Sequence, residues 1–597
     1  MSNPDTDLNQ AFQQAIADYK YGELDAAMSR CQSILAIEPD NYAANEMIVM
    51  LYAGKADYPN AVKHLKTVIQ LNPGNADALN NLGLSYHYIG STKNAEKYLS
   101  KAIENNPHSA EAFSNLGLIN IAQKKYADAE AYLKQALKLN PKYVKALRLL
   151  GAAQQAQKKY TACILTYQKA ISSEPNHEST YLKLGKVYTK QKRLNKALII
   201  YEKLLLINPS SSDAYQSIGY IHALKHQHKK CIKYSLKAIK HKPNDFSAHN
   251  NLSFSYLEIN EISLAEKHIK KALSLNPDSA EAHFNYSLIL LLKADFFRGW
   301  KEYQWRLKHK GVKVYPHDSS EWKGEPLEGK TILIQSEQGL GDMIMAIRFI
   351  QLIKKESVKL ILECHKQLIP LFKNLPEVDM LVLRGEKLPD ADYHVPILNL
   401  PLILGLDIDS ITPIYPYLKA DSNRVNEWSQ RLGKKNSFRV GIAWQGNPKF
   451  SKDHRRSLPL KQFLPLLSLK GVEFISVQKK NTTTNQLDDF TDKHRIIDVD
   501  AGLDRDRDFM DTAAIMENLD LLICTDSSVA NLAGALGLPT WLILGAPPDW
   551  RWLLDTDASP WYPSIRLFRQ ETQNDWQHVL QQIRTELSTL ISGQAKD

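Results

Sequence analysis

Prolines stand at positions 39, 73, 107, 141, 175, 209, 243 and 277, and every interval is 34 residues. No other feature constrains the fold so tightly, because a fixed period of this length means one supersecondary unit stacked on copies of itself. Ten residues after each proline from Pro73 to Pro209 stands a glycine: Gly83, Gly117, Gly151, Gly185 and Gly219; Ser253 and Ser287 take that place later. Twenty-two residues after successive prolines stand Ala61, Ala95, Ala129, Cys163, Ala197, Cys231, Ala265 and Gly299, all small. Two helices cross closely at such a position, and a larger side chain would push them apart. Cys163 and Cys231 therefore read as packing residues rather than reactive thiols.

This pattern resembles tetratricopeptide repeats, over about residues 8–279 in eight full units. A degenerate ninth, EAHFNYSLILLLKADFFRGWKEYQWRL, runs from Glu281 to Leu307, so the array is placed at 8–310. Each unit is a helical hairpin that cannot bury its apolar face alone, and stacking the units makes an α-helical superhelix with a concave groove. The resemblance implies that the groove takes peptide segments. Asn81, Asn115, Asn251 and Asn285 share one repeat position. In the family that position faces the groove, where an amide can pair with an extended backbone; the plainer reading is that asparagine is simply common there. Leu149, Lys183 and Ser217 hold the position in the fourth to sixth repeats, so any asparagine ladder is interrupted.

Composition narrows the setting. The chain has 597 residues, too many for one domain, and its hydrophobic content of 44% and charged content of 23% are those of an ordinary globular protein. The five cysteines are scattered with no Cys-x-x-Cys pair, which argues against zinc or a disulfide framework and suits a reducing compartment. The start, MSNPDTDLNQAFQQ, shows no signal peptide, and no run of ~18 apolar residues is present, so the expected location is cytoplasmic with no transmembrane segment. A net charge of +10 spread over this length reads as a solvated lysine-rich surface, and no nucleic-acid partner is expected.

From about Thr331 the period changes. TILIQS, KLILEC and MLVLRG form one set of short apolar runs; FRVGIAWQ, EFISVQ, IIDVD, LDLLICT and TWLILG form a second. Such runs alternating with amphipathic stretches imply parallel sheets in βαβ units. The expected layout is a linker at 311–328, Rossmann-like domains at 329–425 and 437–575, and a C-terminal helix at 576–597. Ligands of such sheets bind at the carboxyl ends of the strands, so the residues just after each strand matter most.

Three stretches occupy those places. In SEQGLGDMIMAIRFI, Gly339 and Gly341 allow close approach of backbone to a ligand. It is not a dinucleotide fingerprint, because Ile344 holds the third glycine position, and no Gly-Lys-Ser/Thr follows to make a P-loop. Asp342 is a helix cap on one reading and a catalytic carboxylate on another. In GIAWQGNPKFSKDHRRSLPL, Lys449, Lys452, Arg455 and Arg456 cluster after a strand. Cations there can clamp a diphosphate, or form a solvated loop. In LLICTDSSVANLAGALGLPTW, Asp526, Ser527 and Ser528 head a helix whose unpaired N–H groups suit phosphate. Trp550, Trp552, Trp561 and Tyr562 follow, as core or as faces for a sugar or base.

Residues 296–570 resemble family 9 (heptosyltransferase-like) glycosyltransferases and, more distantly, the protein O-linked N-acetylglucosamine transferases. FRGWKEYQWRLK, QGLGDMIMAIRF, GIAWQGNPKF…RRSLPL, DTAAIMENLDLLICTDSSVANLAGALG and DWRWLLDTDASPWYPSIRLFRQ carry the likeness. It implies a glycosyltransferase B fold of two Rossmann-like domains and metal-independent, inverting transfer from a nucleotide sugar to a protein or glycan acceptor, with no cofactor and no metal. By that match Asp342 is the general base, Lys452 or the Arg455-Arg456 pair neutralises the departing diphosphate, and the 526–531 turn holds the donor phosphates; the expected donor-binding residues are Gly339, Gly341, Gln445, Asp526, Ser527, Ser528 and Asn531. The family usually shows Asp-Thr-x-x-x-His at the last turn; here Ser527 replaces the threonine and Asn531 the histidine. Asparagine cannot carry a positive charge, so a charged contact to phosphate is lost. That opens a second reading, a repeat scaffold with an inactive transferase-like region. The Asp-x-Asp within Asp504–Asp508 is interrupted by arginines and reads as a surface charge run, not a metal site.

Overall fold

The computed structural model describes residues 4–309, 312, 314–411, 415–450, 452–479, 486–499 and 508–594. Eighteen helices from Pro4–Tyr21 to Phe296–Tyr303 make nine consecutive pairs among the described residues. The turns inside the pairs also repeat: Gly22, Ala56, Gly90, Lys124, Lys158, Lys192, His226, Asn260 and Ala294 all have positive φ, 34 residues apart. Side chains start the first helix of several pairs: Asn41, Asn75, Ser109, Asp245 and Ser279 each accept from the backbone N–H three residues on. That satisfies a donor the helix leaves open.

The chain falls into two compact units, 1–221 and 222–597. The first unit holds stacked hairpins. Ala61, Ala95, Ala129, Cys163 and Ala197 are fully buried, as close crossings require. A Cβ at Gly151 or Gly185 would sit 2.5 Å from the Tyr167 ring or 2.4 Å from the Tyr201 ring.

The second unit holds the last hairpins and two parallel sheets. The strands are β1 (Ser320–Glu321), β2 (Thr331–Gln335), β3 (Lys359–Cys364), β4 (Met380–Leu383) and β5 (Tyr393–Pro396), then β6 (Phe438–Ala443), β7 (Val472–Ser476), β8 (Ile496–Asp498), β9 (Leu521–Thr525), β10 (Thr540–Leu544) and β11 (Ile565–Arg569). The first sheet runs β1-β5-β2-β3-β4 and the second β11-β10-β9-β6-β7-β8, with every neighbouring pair parallel. In the first sheet the strand order reverses between β2 and β5, in the second between β6 and β9. One apolar core joins the last hairpins to both sheets, from Leu257 through Trp300 and Phe349 to Trp561 and Leu567.

Two expected boundaries change. The stretch 311–328 is not all linker, because β1 adds an edge to the first sheet beside β5. The helix Ser422–Leu432 crosses the expected boundary at 425. It packs on the second sheet's helix Met510–Met516, where Asp511 Oδ1 accepts from Arg424 Nη1 (2.9 Å) and Trp428 Nε1 (3.0 Å). The helix Trp576–Gln594 lies where a C-terminal helix was expected.

Candidate functional site

The loop after β2 leads into the helix Leu340–Ala346, and the turn after β9 into the helix Ser528–Leu536. The two helix starts touch. A Cβ at Gly341 would lie 3.1 Å from Asn531 Nδ2 and 3.4 Å from Ser528 Cα, so glycine permits the contact. Gly339 N–H donates to Asp342 Oδ2 at 2.9 Å, which makes the carboxylate a cap of its own helix. The other Asp342 oxygen pairs with Arg551, from the turn after β10. Arg551 also donates to Asp549 Oδ1 at 2.5 Å and lies over the Trp550 ring, 4.5 Å from its centroid.

Asp526 sits at the carboxyl end of β9, half-buried beside these groups. Burial and the Asp549 carboxylate push its pKa up to about 6, while Arg456 and Arg551 pull it back. Burial also works against the charged form of Asp549, but Arg551 outweighs it and holds that carboxyl below the usual range. Ser527 Oγ accepts from Val529 N–H at 3.3 Å and caps the helix.

Asn531 is 5% exposed. Its Nδ2 donates to Ser527 O (3.1 Å) and its Oδ1 accepts from Tyr562 OH (3.0 Å). The amide thus ties its helix to Tyr562, and Gly534 makes room for that ring: a Cβ there would lie 2.4 Å from it. Arg348 completes the junction, fully buried, donating to Trp561 O (2.6 Å) and Tyr417 OH (3.1 Å). Trp550, Trp552, Trp561 and Tyr562 are buried at 4%, 0%, 0% and 0%, so this cluster is core rather than a stacking face.

The basic loop after β6 meets the repeats. Glu258 ends the helix Phe246–Glu258 and is 2% exposed. Its two oxygens accept from Arg455 Nη1 at 2.8 and 2.9 Å, and Lys452 Nζ lies 3.4 Å away. Burial pushes the Glu258 pKa up, but Lys452 and Arg455 hold it below the ordinary value. Arg455 donates further to Pro547 O at 2.6 Å, and Arg456 to Asp453 Oδ1 at 3.1 Å. Lys449 is exposed. A cleft opens between these parts, walled by Leu257, Leu288 and Leu292 of the repeats, by Phe450, Lys452, Arg455 and Arg456, and by Asp526 and Pro547–Trp550. Lys452, Arg455, Arg456 and Arg551 are matched around it by Glu258, Asp453, Asp342, Asp549 and Asp526. The cations are therefore neutralised from within.

The structure thus brings Gly341, Asp342, Asp526, Ser527, Ser528 and Asn531 together, with Lys452, Arg455 and Arg456 across the cleft from Asp549. Gln445 lies elsewhere on the loop after β6: its N–H donates to Gln478 Oε1 (2.9 Å) and its Oε1 accepts from Gln486 (3.2 Å). In the repeats, Asn81 is exposed. Asn115 is buried, bonded to Asn80 Oδ1 and Lys145 Nζ, both at 2.8 Å. Asn251 is 8% exposed, and Asn285 donates to Asn250 Oδ1 at 3.3 Å. Residues 504–507 lie outside the described residues; no cluster of three or more His, Cys, Asp or Glu that could hold a metal occurs among those described. No helix there is long and apolar enough to cross a membrane.

Arg551, Asp549 and Glu258 are absent from the sequence reading. The first two were within reach, since DWRW follows β10 as DSS follows β9, and the strand-end rule covers both. Its charges stand among aromatics that dominate the motif.

Models of the tetratricopeptide repeat match residues 52–90, 76–142, 115–177, 178–211 and 246–279. Protein FlbA of Caulobacter vibrioides is 26% identical over 324 residues, covering 50% of this chain and 54% of that protein. The chain thus spans about half the length of this curated relative. Among solved structures, YrrB, described as a TPR protein with an unusual peptide-binding site, is 20% identical, covering 31% of this chain and 95% of its own, at a TM-score of 0.28. MamA is 28% identical, covering 27% and 95%, at 0.26. A tetratricopeptide repeat protein from Parabacteroides merdae is 19% identical, covering 42% and 98%, at 0.35. At such TM-scores these likenesses say nothing about how the repeats are arranged. The chain carries tetratricopeptide repeats, followed by an α/β region of two parallel sheets.

Proposed function

We propose that the chain is a glycosyltransferase of the B-fold type, moving a sugar from a nucleotide sugar to a protein or glycan acceptor, with inversion and without a metal, and that its repeats recruit the acceptor or a partner. One observation carries the reading. The turns after β2 and β9, at the strand ends where parallel sheets take ligands, meet at Gly341 and Ser528. Asp342 there pairs with Arg551, whose charge the Asp526 carboxylate also feels. In this reading Asp342 takes the proton of the acceptor hydroxyl as its oxygen attacks the anomeric carbon. The nucleoside diphosphate leaves with the bonding pair. A diphosphate in the cleft draws Arg551 away from Asp342 and frees the base, while Lys452 and Arg456 offset the leaving charge. The test is turnover of UDP-, GDP-, ADP- and dTDP-sugars by the full chain, with Asp342→Ala beside it. Turnover that Asp342→Ala abolishes is expected; turnover unchanged by that substitution would remove Asp342 from its role.

A second reading has its own observation. All four cations around the cleft are paired with carboxylates, and the Asn531 amide is engaged inside the fold. A repeat scaffold with an inactive transferase-like region fits that too. No turnover with any donor, together with peptide capture by the repeats, would favour it.

A further inference from the structure

The stretch KHQHKKCIKYSLKAIKHKPN, from Lys225 to Asn244, holds seven lysines and no Asp or Glu. Most of it is the helix His228–His241. Cys231, Ser235 and Ala238 are fully buried and seat this helix on the fold. At about 3.6 residues per turn, Lys229, Lys233, Leu236 and Lys240 share the far side, and all four are exposed. The helix Ile262–Leu275, the second of the next pair, repeats the arrangement. Ala265, Ile269 and Ala272 are fully buried, while Leu264, Lys267 and Lys271 lie together on the exposed side. Lys267 stands 34 residues after Lys233, so the two hold one place in successive repeats.

These cations are not neutralised from within. Among the described residues no carboxylate pairs with Lys229, Lys233, Lys240, Lys267 or Lys271, and Glu266, beside Lys267, is taken by Lys270 and Lys293 at 2.6 Å each. The cleft is the opposite case: Lys452, Arg455, Arg456 and Arg551 each meet a carboxylate of the chain. Like charges along one helix face repel, so here the counter-anions come from outside the chain.

Two features select the partner. The cations are lysines, point charges that attract an anionic surface without the planar fork with which arginine reads a base or a single phosphate. Leucines also stand among them: Leu236 is 41% exposed and Leu264 37%. A nucleic-acid duplex offers such side chains no apolar layer, whereas the boundary between headgroups and acyl chains of a bilayer does. Nor is there an exposed aromatic face for bases, since Tyr234 is half-buried with Lys237 Nζ 5.8 Å from its ring centroid. We infer that this face binds an anionic lipid surface, with the lysines at the headgroups and the two leucines just beneath them. The chain then lies on the bilayer without spanning it, and the inference holds whether or not the chain transfers a sugar.

The test is co-sedimentation of the full chain with vesicles of phosphatidylcholine alone and of phosphatidylcholine and phosphatidylglycerol in equal parts, and a parallel titration with duplex DNA. Binding is expected on the anionic vesicles alone, weakening as salt is raised. Each lysine near such a surface strengthens binding about fivefold. Lys229→Gln, Lys233→Gln, Lys240→Gln and Lys267→Gln together are therefore expected to weaken it by at least about a hundredfold. Leu236→Ser with Leu264→Ser keeps every charge and is expected to weaken it about fivefold or more. Lys124→Gln, Lys138→Gln, Lys142→Gln and Lys158→Gln remove four exposed lysines of the first unit and the same net charge. That control is expected to change binding by less than about threefold. Tryptophan fluorescence melts confirm the fold of the patch variants. No binding to anionic vesicles, equal binding to neutral ones, or duplex DNA bound more tightly than either would overturn the inference. So would a loss as large in the first-unit control, or a leucine variant that binds like the unchanged chain.

Discussion

Replacing Glu258 by glutamine tests whether the repeats are wired into the second sheet. The carboxylate is 3% exposed and takes two bonds from Arg455, at 2.8 and 2.9 Å, with Lys452 at 3.4 Å. Breaking a buried pair by removing one charge costs ~3–5 kcal/mol, because the partner stays buried without compensation. Two features place this case at the low end. Arg455 keeps its bond to Pro547 O at 2.6 Å, and Lys452 is 35% exposed, so water takes up part of its charge. A loss of about 3 kcal/mol corresponds to a fall of roughly 6 °C in a unit of this size. The assay is simple because all ten tryptophans lie between Trp300 and Trp576, so their fluorescence follows the second unit alone. The double change Glu258→Met with Arg455→Met removes both charges and is expected to recover most of the loss. A fall under about 1 °C in the single variant, or a double variant no better than the single, refutes the argument.

Asp526 predicts a pH dependence. Its pKa rises from 3.8 to about 6, so the folded state keeps a proton that the unfolded state has lost. Stability is therefore expected to fall as pH rises from ~4 to ~6, by no more than about 2 kcal/mol once solvent screening is allowed for. Asp526→Asn should flatten the melting temperature over that window, and a slope unchanged in the variant would contradict the reading. Asn531→His inserts a larger ring between Gly341 and Tyr562 and drops two buried bonds. A loss of about 1–3 kcal/mol is expected in the fluorescence melt; a stabilised variant would show that the site accepts histidine. Gly534→Ala places a methyl 2.4 Å from the Tyr562 ring, and about 2–3 kcal/mol should be lost. Unaltered unfolding would mean that the ring moves freely.

The repeats were legible because their signal is a period, and a period survives substitution at any one position. Most strands were legible as short apolar runs. Three were not, each for a physical reason. β1 is two residues long and exposed. β5 is four residues and ends in proline. In β11 the two arginines interrupt the apolar run, and only Arg569, not Arg566, is half-buried. At the site, the strand-end rule located Asp342 and Asp526. It did not reveal Asn531 as an interior tie, because that depends on Tyr562, which lies 31 residues on. Glu258 carries no local signal at all: its meaning arises from Arg455, 197 residues away.

The contact at Gly341 has an electrostatic side. Two helices meet there by their starts, the ends where unpaired N–H groups concentrate partial positive charge. Bringing like ends together is unfavourable unless negative charge is supplied. Asp342 lies in the first turn of one helix, and Asp526 stands just before the other. The junction thus already contains its own counter-anions. Under the proposed function, a phosphate would meet no vacant positive seat between these helices and would have to enter by exchange, one anion taking the place of another.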